Sequence, residues 1–286
     1  MSKIDQLCVI TDEISQNFNK ALDIASEYGV KTVDLRKIWN KNIVLFTNNE
    51  LGKLKDFLNK HDMKVAVVTG PFGKCNLPGA KYTRTKKESF RKNPDYNLSL
   101  FERLVEISDY FDTPFIRVFS FFKRGSKGIK DRWQKMINIM QTYAEKAEKL
   151  NKILLLENDY YMFVDDVKST KRFFEEINSD NIKLILDPGN YYVKGESTTV
   201  DTYEYFYKKN LVGHIHIKDP IRRYFHLFAN FTVVGEGKID YIPLFKQAID
   251  HGYKGYFSLE THALRKKEKI SRASLANITN WLKNFE

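Results

Sequence analysis

Cysteine is scarce: the 286 residues contain two, Cys8 and Cys75. Two distant thiols make neither a disulfide framework nor a cysteine metal cluster, which suits a reducing compartment. Each is read as a small hydrophobe packed inside. Proline is sparse as well, and no Pro-rich or Gly/Ser-rich stretch divides the chain. No window approaches the roughly 20 uninterrupted apolar residues of a membrane span, so no membrane partner is expected. The N-terminal Met-Ser-Lys-Ile-Asp-Gln-Leu enters a strand-like run without the charged, apolar and small-residue regions of a secretory leader. A cytoplasmic protein is the expectation. Also missing is the glycine-rich phosphate loop that follows the first strand of a dinucleotide-binding sheet; Thr11-Asp12-Glu13-Ile14 stands there.

What is present argues for a packed core. A hydrophobic content of 42%, with 14% aromatic, excludes a disordered chain. The net charge of +11 raises the question of a polyanionic partner, which needs basic residues concentrated on one face. Here lysines are spread over most helical stretches, and the richest run, Lys81 to Lys92, is read as a solvated surface or as one that draws in an anionic substrate. No nucleic-acid partner is expected.

Short apolar, β-branched runs alternate with amphipathic stretches along the whole chain, the pattern of βα units around a parallel sheet. The strands are expected at Leu7 to Ile10, Thr32 to Leu35, Lys64 to Thr69, Phe115 to Phe119, Ile153 to Glu157, Lys183 to Asp187, Val212 to Lys218 and Gly255 to Glu260. Helices are expected at Asn19 to Tyr28, Asn49 to His61, Asn97 to Phe111, Lys130 to Leu150, Asp165 to Ile177, Thr202 to Lys209, Ile242 to His251 and Lys267 to Phe285. Eight units in a length near the ~250 residues typical of the fold predict one (β/α)8 TIM-barrel domain over residues 1–286. The connection at 71–95 is long, and at the C-terminal face it would form a pocket wall or lid through Phe72, Tyr82, Arg84 and Phe90. Gly235-Glu236-Gly237 is not a phosphate loop, because it leads to Asp240, an expected helix N-cap.

In such a barrel the chemistry sits where strands end. Four apolar runs end in polar residues: Leu156 in Glu157, Leu186 in Asp187, the seventh strand in His214-Ile215-His216, and Leu259 in Glu260. The gaps of 30, 29 and 44 residues are about one βα unit each, with a longer last loop. Equivalent strand ends meet in space, and three carboxylates aimed at one point repel unless a cation joins them. Glu157, Asp187, His216 and Glu260 are therefore the predicted ligands of one divalent metal. Three oxygen donors and one imidazole favour Mn²⁺ or Mg²⁺ over Co²⁺ or Zn²⁺. His214 lies two residues earlier on the same side of its strand and sits deeper, behind the ligands. His262 follows Glu260 closely enough to join the site. Lys218, Asp219 and Arg222 are candidates to grip a substrate hydroxyl, carboxylate or phosphate, or to form surface salt bridges. Arg36 and Arg117 complete an anion pocket or pair with acids inside the barrel.

The motifs Leu156-Glu157-Asn158, Leu186-Asp187-Pro188-Gly189-Asn190, His214-Ile215-His216-Ile217-Lys218-Asp219, Gly235-Glu236-Gly237-Lys238-Ile239-Asp240, and Gly252-Tyr253-Lys254-Gly255 leading to Leu259-Glu260-Thr261-His262 resemble those of the xylose isomerase-like barrels. The resemblance spans nearly the whole chain and implies the same four metal ligands. It further implies that Glu157 and Glu260 pass a proton across a small sugar or polyol substrate through an enediolate that the cation stabilises. It leaves a homodimer open, since barrels of this family often pair through outer helices. Many sugar-epimerising members carry a histidine where this chain has Asn190, which can bind a hydroxyl but cannot carry a proton.

The first reading is therefore a sugar isomerase or epimerase. A dehydratase of a keto-cyclitol or related polyol on the same metal site is the alternative. An endonuclease IV-like repair enzyme is remote: its three zinc ions need histidines where this chain has Asp34-Leu35-Arg36, Thr69-Gly70-Pro71 and Asn190.

Overall fold

Eight parallel strands close on themselves: β1 Leu7–Ile10, β2 Thr32–Leu35, β3 Lys64–Val68, β4 Phe115–Val118, β5 Ile153–Glu157, β6 Ile182–Leu186, β7 Val212–Ile217 and β8 Phe257–Leu259. Each pairs with the next in sequence, and β8 returns to β1 through Val9 and Leu259. This is the closed barrel expected from the strand spacing. The computed structural model describes residues 2–79, 94–123, 128–224 and 228–285, with only the backbone described at 222–224 and 228.

Helix starts follow local sequence. Thr47 and Glu50 form a reciprocal capping box, as do Asp166 and Ser169. Asp240 accepts from the Ile242 N–H, as predicted. Asp187 caps the helix Pro188–Lys194, with proline in the first helical turn, where a missing N–H costs nothing.

Period-two alternation sorts the barrel interior into layers. Cys8, Ala66, Val67, Leu155 and Ile185 fill the lower interior with apolar contacts, with Phe115, Ile153 and Tyr256 packed against them. Two residues further along β4 and β5, and likewise beyond Ile185, come Arg117, Glu157 and Asp187, all buried. The barrel is thus plugged by apolar side chains below and lined by charge at its C-terminal end. Both cysteines are buried and unpaired. Burial pushes the Cys75 thiol up to about 12 and that of Cys8 well above the ordinary thiol range.

Several elements differ from the expectation. Antiparallel hairpins occupy Lys37–Asn42 and Asp219–Thr232, and short helices occupy Thr11–Ile14 and Pro188–Lys194. Each of the four begins within two residues of the end of a barrel strand. The helix expected from Asn97 begins at Pro94. Phe72 is no lid residue: it is fully buried, its ring 4.8 Å from that of Tyr143 and 5.8 Å from that of Phe101. Tyr82, Arg84, Phe90 and the basic run 81–92 lie outside the described residues. Among the described residues no helix is long and apolar enough to cross a membrane.

Candidate active site

Four strands deliver the predicted quartet. Glu157 ends β5, Asp187 follows β6, His216 lies in β7 and Glu260 follows β8, and all are buried. One ligand-capable atom from each lies within 4.8 Å of the others. His216 Nδ1 is the hub, 3.6 Å from Glu157 Oε1, 3.9 Å from Asp187 Oδ2 and 3.5 Å from Glu260 Oε2. These separations exceed an ordinary hydrogen bond. Both ring nitrogens of His216 are buried without a hydrogen-bond partner. An orphaned imidazole surrounded by three carboxylates fits a shared divalent cation, so the donor set and the geometry agree on a potential metal site.

Repulsion among the acids supports that cation less than the spacing suggested, because basic side chains already answer each carboxylate. Arg117 donates to Glu157 at 3.1 Å. Lys218 bridges Asp187 at 2.7 Å and Glu260 at 2.8 Å. Arg36 reaches Glu260 at 2.6 Å and Asp12 at 2.9 Å, and it also pairs with Glu13. What these groups leave unmet is His216. Burial opposes charge on that ring, but Glu157 and Glu260 outweigh it and raise the imidazole to about 10. Asp187 bears the residual strain: burial, with Glu260 and Glu157 alongside, raises its carboxyl to about 6 despite Lys218.

The other predicted residues divide. Arg36, Arg117, Lys218, Asn190 and His262 line a cavity of about 440 Å³ together with Glu157 and Glu260, a volume suited to a small polar ligand. His262 Nε2 sits 3.1 Å from Glu260 Oε1. The Asn190 amide donates to Asp187 Oδ2 at 3.0 Å, to the Asn158 carbonyl at 2.8 Å and to Glu157 Oε1 at 3.3 Å. Its nitrogen is therefore committed to aligning the acids. Asp219 does not face the cavity. Its carboxylate accepts from the backbone N–H groups of Gly235, Gly237, Lys238 and Ile239 at 2.8–3.1 Å. A Cβ on Gly237 would lie 2.1 Å from Asp219 Oδ1, so only glycine admits that approach. The loop that resembles an anion cradle thus holds an internal carboxylate. The Arg222 side chain lies outside the described residues. His214 sits below the quartet, 2.9 Å from Asp34.

Sequence reasoning missed Asp12, Lys37, Lys74, Asp159 and Tyr160, which also line the cavity. Asp12 and Asp159 each follow a strand by two residues, so the strand-end rule could have found them. Lys74 pairs with Asp159 at 3.0 Å across two loops, which no local signal announces.

Glu13 offers a direct test of the charge network. Burial alone would raise its carboxyl, but Arg36, followed by His262 and Lys267, holds it down at about 2. An unfolded glutamate titrates near ~4.3. A depressed carboxylate contributes stability above that value, and the contribution is lost as pH falls from about 4.5 towards 2. In urea titrations, Glu13→Gln should therefore be less stable than the native chain at pH 6, with the gap closing towards pH 2. A gap independent of pH would refute the assignment.

A closed parallel barrel with convergent acids and a histidine at the C-terminal ends of its strands defines a TIM-barrel protein with a potential metal site. The chain belongs to the xylose isomerase-like TIM barrel family, whose model matches residues 22–285. Over 227 residues it is 21% identical to an inosose dehydratase from Clostridium tetani, covering 72% of each chain. The match to an inosose dehydratase from Lacticaseibacillus casei, also 21% identical, spans 46% of this chain and 47% of that protein, about half its length. Among solved structures, a probable 3-DHS dehydratase from Bacillus anthracis superposes with a TM-score of 0.75 at 19% identity, covering 96% of this chain and 99% of the other. The zinc-binding IOLI protein superposes with a TM-score of 0.77 at 13% identity, covering 98% and 99%. At these identities the structural matches establish the fold.

Proposed function

We propose that this chain is a divalent-metal-dependent lyase that removes water from a keto-cyclitol or a closely related hydroxy-ketone. Glu157, Asp187, His216 and Glu260 would hold the cation, with Mn²⁺ or Mg²⁺ suited to three oxygen donors. When bound, it supplies positive charge against the oxyanion that develops on the substrate carbonyl.

Proton handling falls to the chain's own groups. Among the described residues Glu157 accepts hydrogen bonds from Arg117 and Asn190, whereas Glu260 is engaged by three basic groups, Arg36, Lys218 and His262. Glu157 is accordingly the group free to take the proton from the carbon beside the carbonyl. The C–H electron pair then forms the carbon–carbon double bond as the β-carbon–oxygen bond breaks. A departing hydroxide needs a proton, and Lys218 offers one from a buried ammonium at the cavity floor. Burial opposes that charge, but Asp187 and Glu260 outweigh it and raise the ammonium above its ordinary range, so it is fully protonated. The products are an unsaturated ketone and water.

Lys218 is the observation that carries the lyase reading. A two-glutamate epimerase needs no third proton donor, yet here one stands against the acids. The similarity to proteins named dehydratases adds support. Sugar isomerisation or epimerisation, ranked first on sequence, is retained because Glu157 and Glu260 both line the cavity.

NMR of keto-cyclitols, keto-sugars and sugar phosphates incubated with the Mn²⁺-loaded protein in D₂O separates the two. Loss of water, with deuterium exchanged into the remaining substrate beside its carbonyl, is the expected result. Lys218→Met should keep that exchange while slowing loss of water by about 10²–10⁴-fold, the usual reach of a positioned acid. An epimer without loss of water would favour the second reading. Neither exchange nor turnover with any divalent metal would sink both.

A further inference from the structure

The barrel interior holds a second polar layer, one rung below the quartet, that the proposed reaction does not use. Because side chains alternate along a strand, Asp34 lies below Arg36, His214 below His216 and Ser258 below Glu260. All three are fully buried. Asp34 Oδ2 is doubly engaged, 2.9 Å from His214 Nε2 and accepting from the Ser258 hydroxyl at 2.6 Å. Asp34 Oδ1 has no hydrogen-bond partner. A buried carboxylate oxygen in that condition is costly. One ligand-capable atom each from Asp34, His214 and His216 lies within 4.8 Å of the others, and the His216 ring is itself unpartnered. Asp34, with one orphaned oxygen, and His216, with two orphaned ring nitrogens, therefore belong to one compact cluster. Nδ1 of His216 faces the three carboxylates of the quartet. Nε2 is left for the lower layer.

We infer that Asp34 is the positioning residue of His216. Its Oδ1 receives the Nε2–H through one bridging water, since no direct bond joins the two atoms, and so fixes the ring with Nδ1 turned to the quartet. His214 and Ser258 hold the other carboxylate oxygen and keep Asp34 from rotating away. A carboxylate behind a metal-bound imidazole sets its tautomer and strengthens it as a ligand, an effect typically of ~10–100-fold in metal affinity. Only this consequence rests on the proposed role of His216; the hydrogen bond does not.

Two measurements test the inference. In ¹H–¹⁵N spectra of the metal-free protein, His216 Nε2 should carry a downfield, slowly exchanging proton that Asp34→Asn loses. In calorimetric titrations with Mn²⁺, Asp34→Asn should bind about 10–100-fold more weakly, whereas Ser258→Ala, which keeps the acceptor, should change affinity far less. A ring proton found only on Nδ1 overturns the inference, as does unchanged Mn²⁺ affinity in Asp34→Asn. A second equivalent of Mn²⁺ that Asp34→Asn abolishes would make these groups ligands and overturn it too. Should the variant not fold, the native spectrum decides alone. Failure of the native protein to bind Mn²⁺ would strike the metal reading, with the Nε2 proton still deciding the hydrogen bond.

Discussion

Glu157→Gln should lose turnover by about 10³-fold or more, together with the deuterium exchange that Lys218→Met retains. A positioned carboxylate base contributes ~10²–10⁴-fold by itself, and the amide would weaken the metal site as well. The Gln side chain is close in shape, and Arg117 keeps its bond to the Thr69 carbonyl at 2.9 Å, so the fold should survive. Stopped exchange with a native circular dichroism spectrum is the expected pair of results. Exchange that continues at the native rate would remove Glu157 as the base and pass the role to Glu260.

Arg36→Ala should produce the largest loss of stability. The guanidinium serves Asp12, Glu13 and Glu260 together, and all three acids are at least nine-tenths buried. Removing one partner of a buried ion pair costs about 3–5 kcal/mol, because the charge left behind has neither water nor a counter-ion. Urea unfolding at pH 7 should report a loss of that size. The deficit should shrink in acid, where protonation relieves the stranded carboxylates. A loss below about 1 kcal/mol would mean that solvent already screens the cluster.

Much of this protein was legible without coordinates. Each of the eight strands falls within two residues of its expected start and end, because an aliphatic run buried on both faces has few other ways to satisfy its backbone. Glu157, Asp187, His216 and Glu260 were legible for a related reason. A βα unit repeats at near-constant length, so polar residues ending successive strands must converge. His214 and His216 point to the same side of their strand and were separable by depth, His216 lying nearer its C-terminal end.

The roles of the surrounding residues were not legible. Lys218 and Asp219 are neighbours in sequence, yet one enters the acid cluster and the other turns away from it to gather the N–H groups of Gly235, Gly237, Lys238 and Ile239. Asn190, read as a substrate ligand, lines the cavity and also donates to Asp187 and Glu157, a second role that no local pattern announced. Asp34, Lys74 and Asp159 acquire meaning only through partners far along the chain.

Sequence alone thus determined the barrel and the four residues that converge at its mouth, since both follow from periodic burial and unit length. Tertiary structure decided which cation answers which carboxylate, and that His216, of the four, is left without a hydrogen-bond partner. Charge pairing depends on distance through space between groups as far apart in the chain as Glu13 and Lys267, and no local pattern encodes that distance.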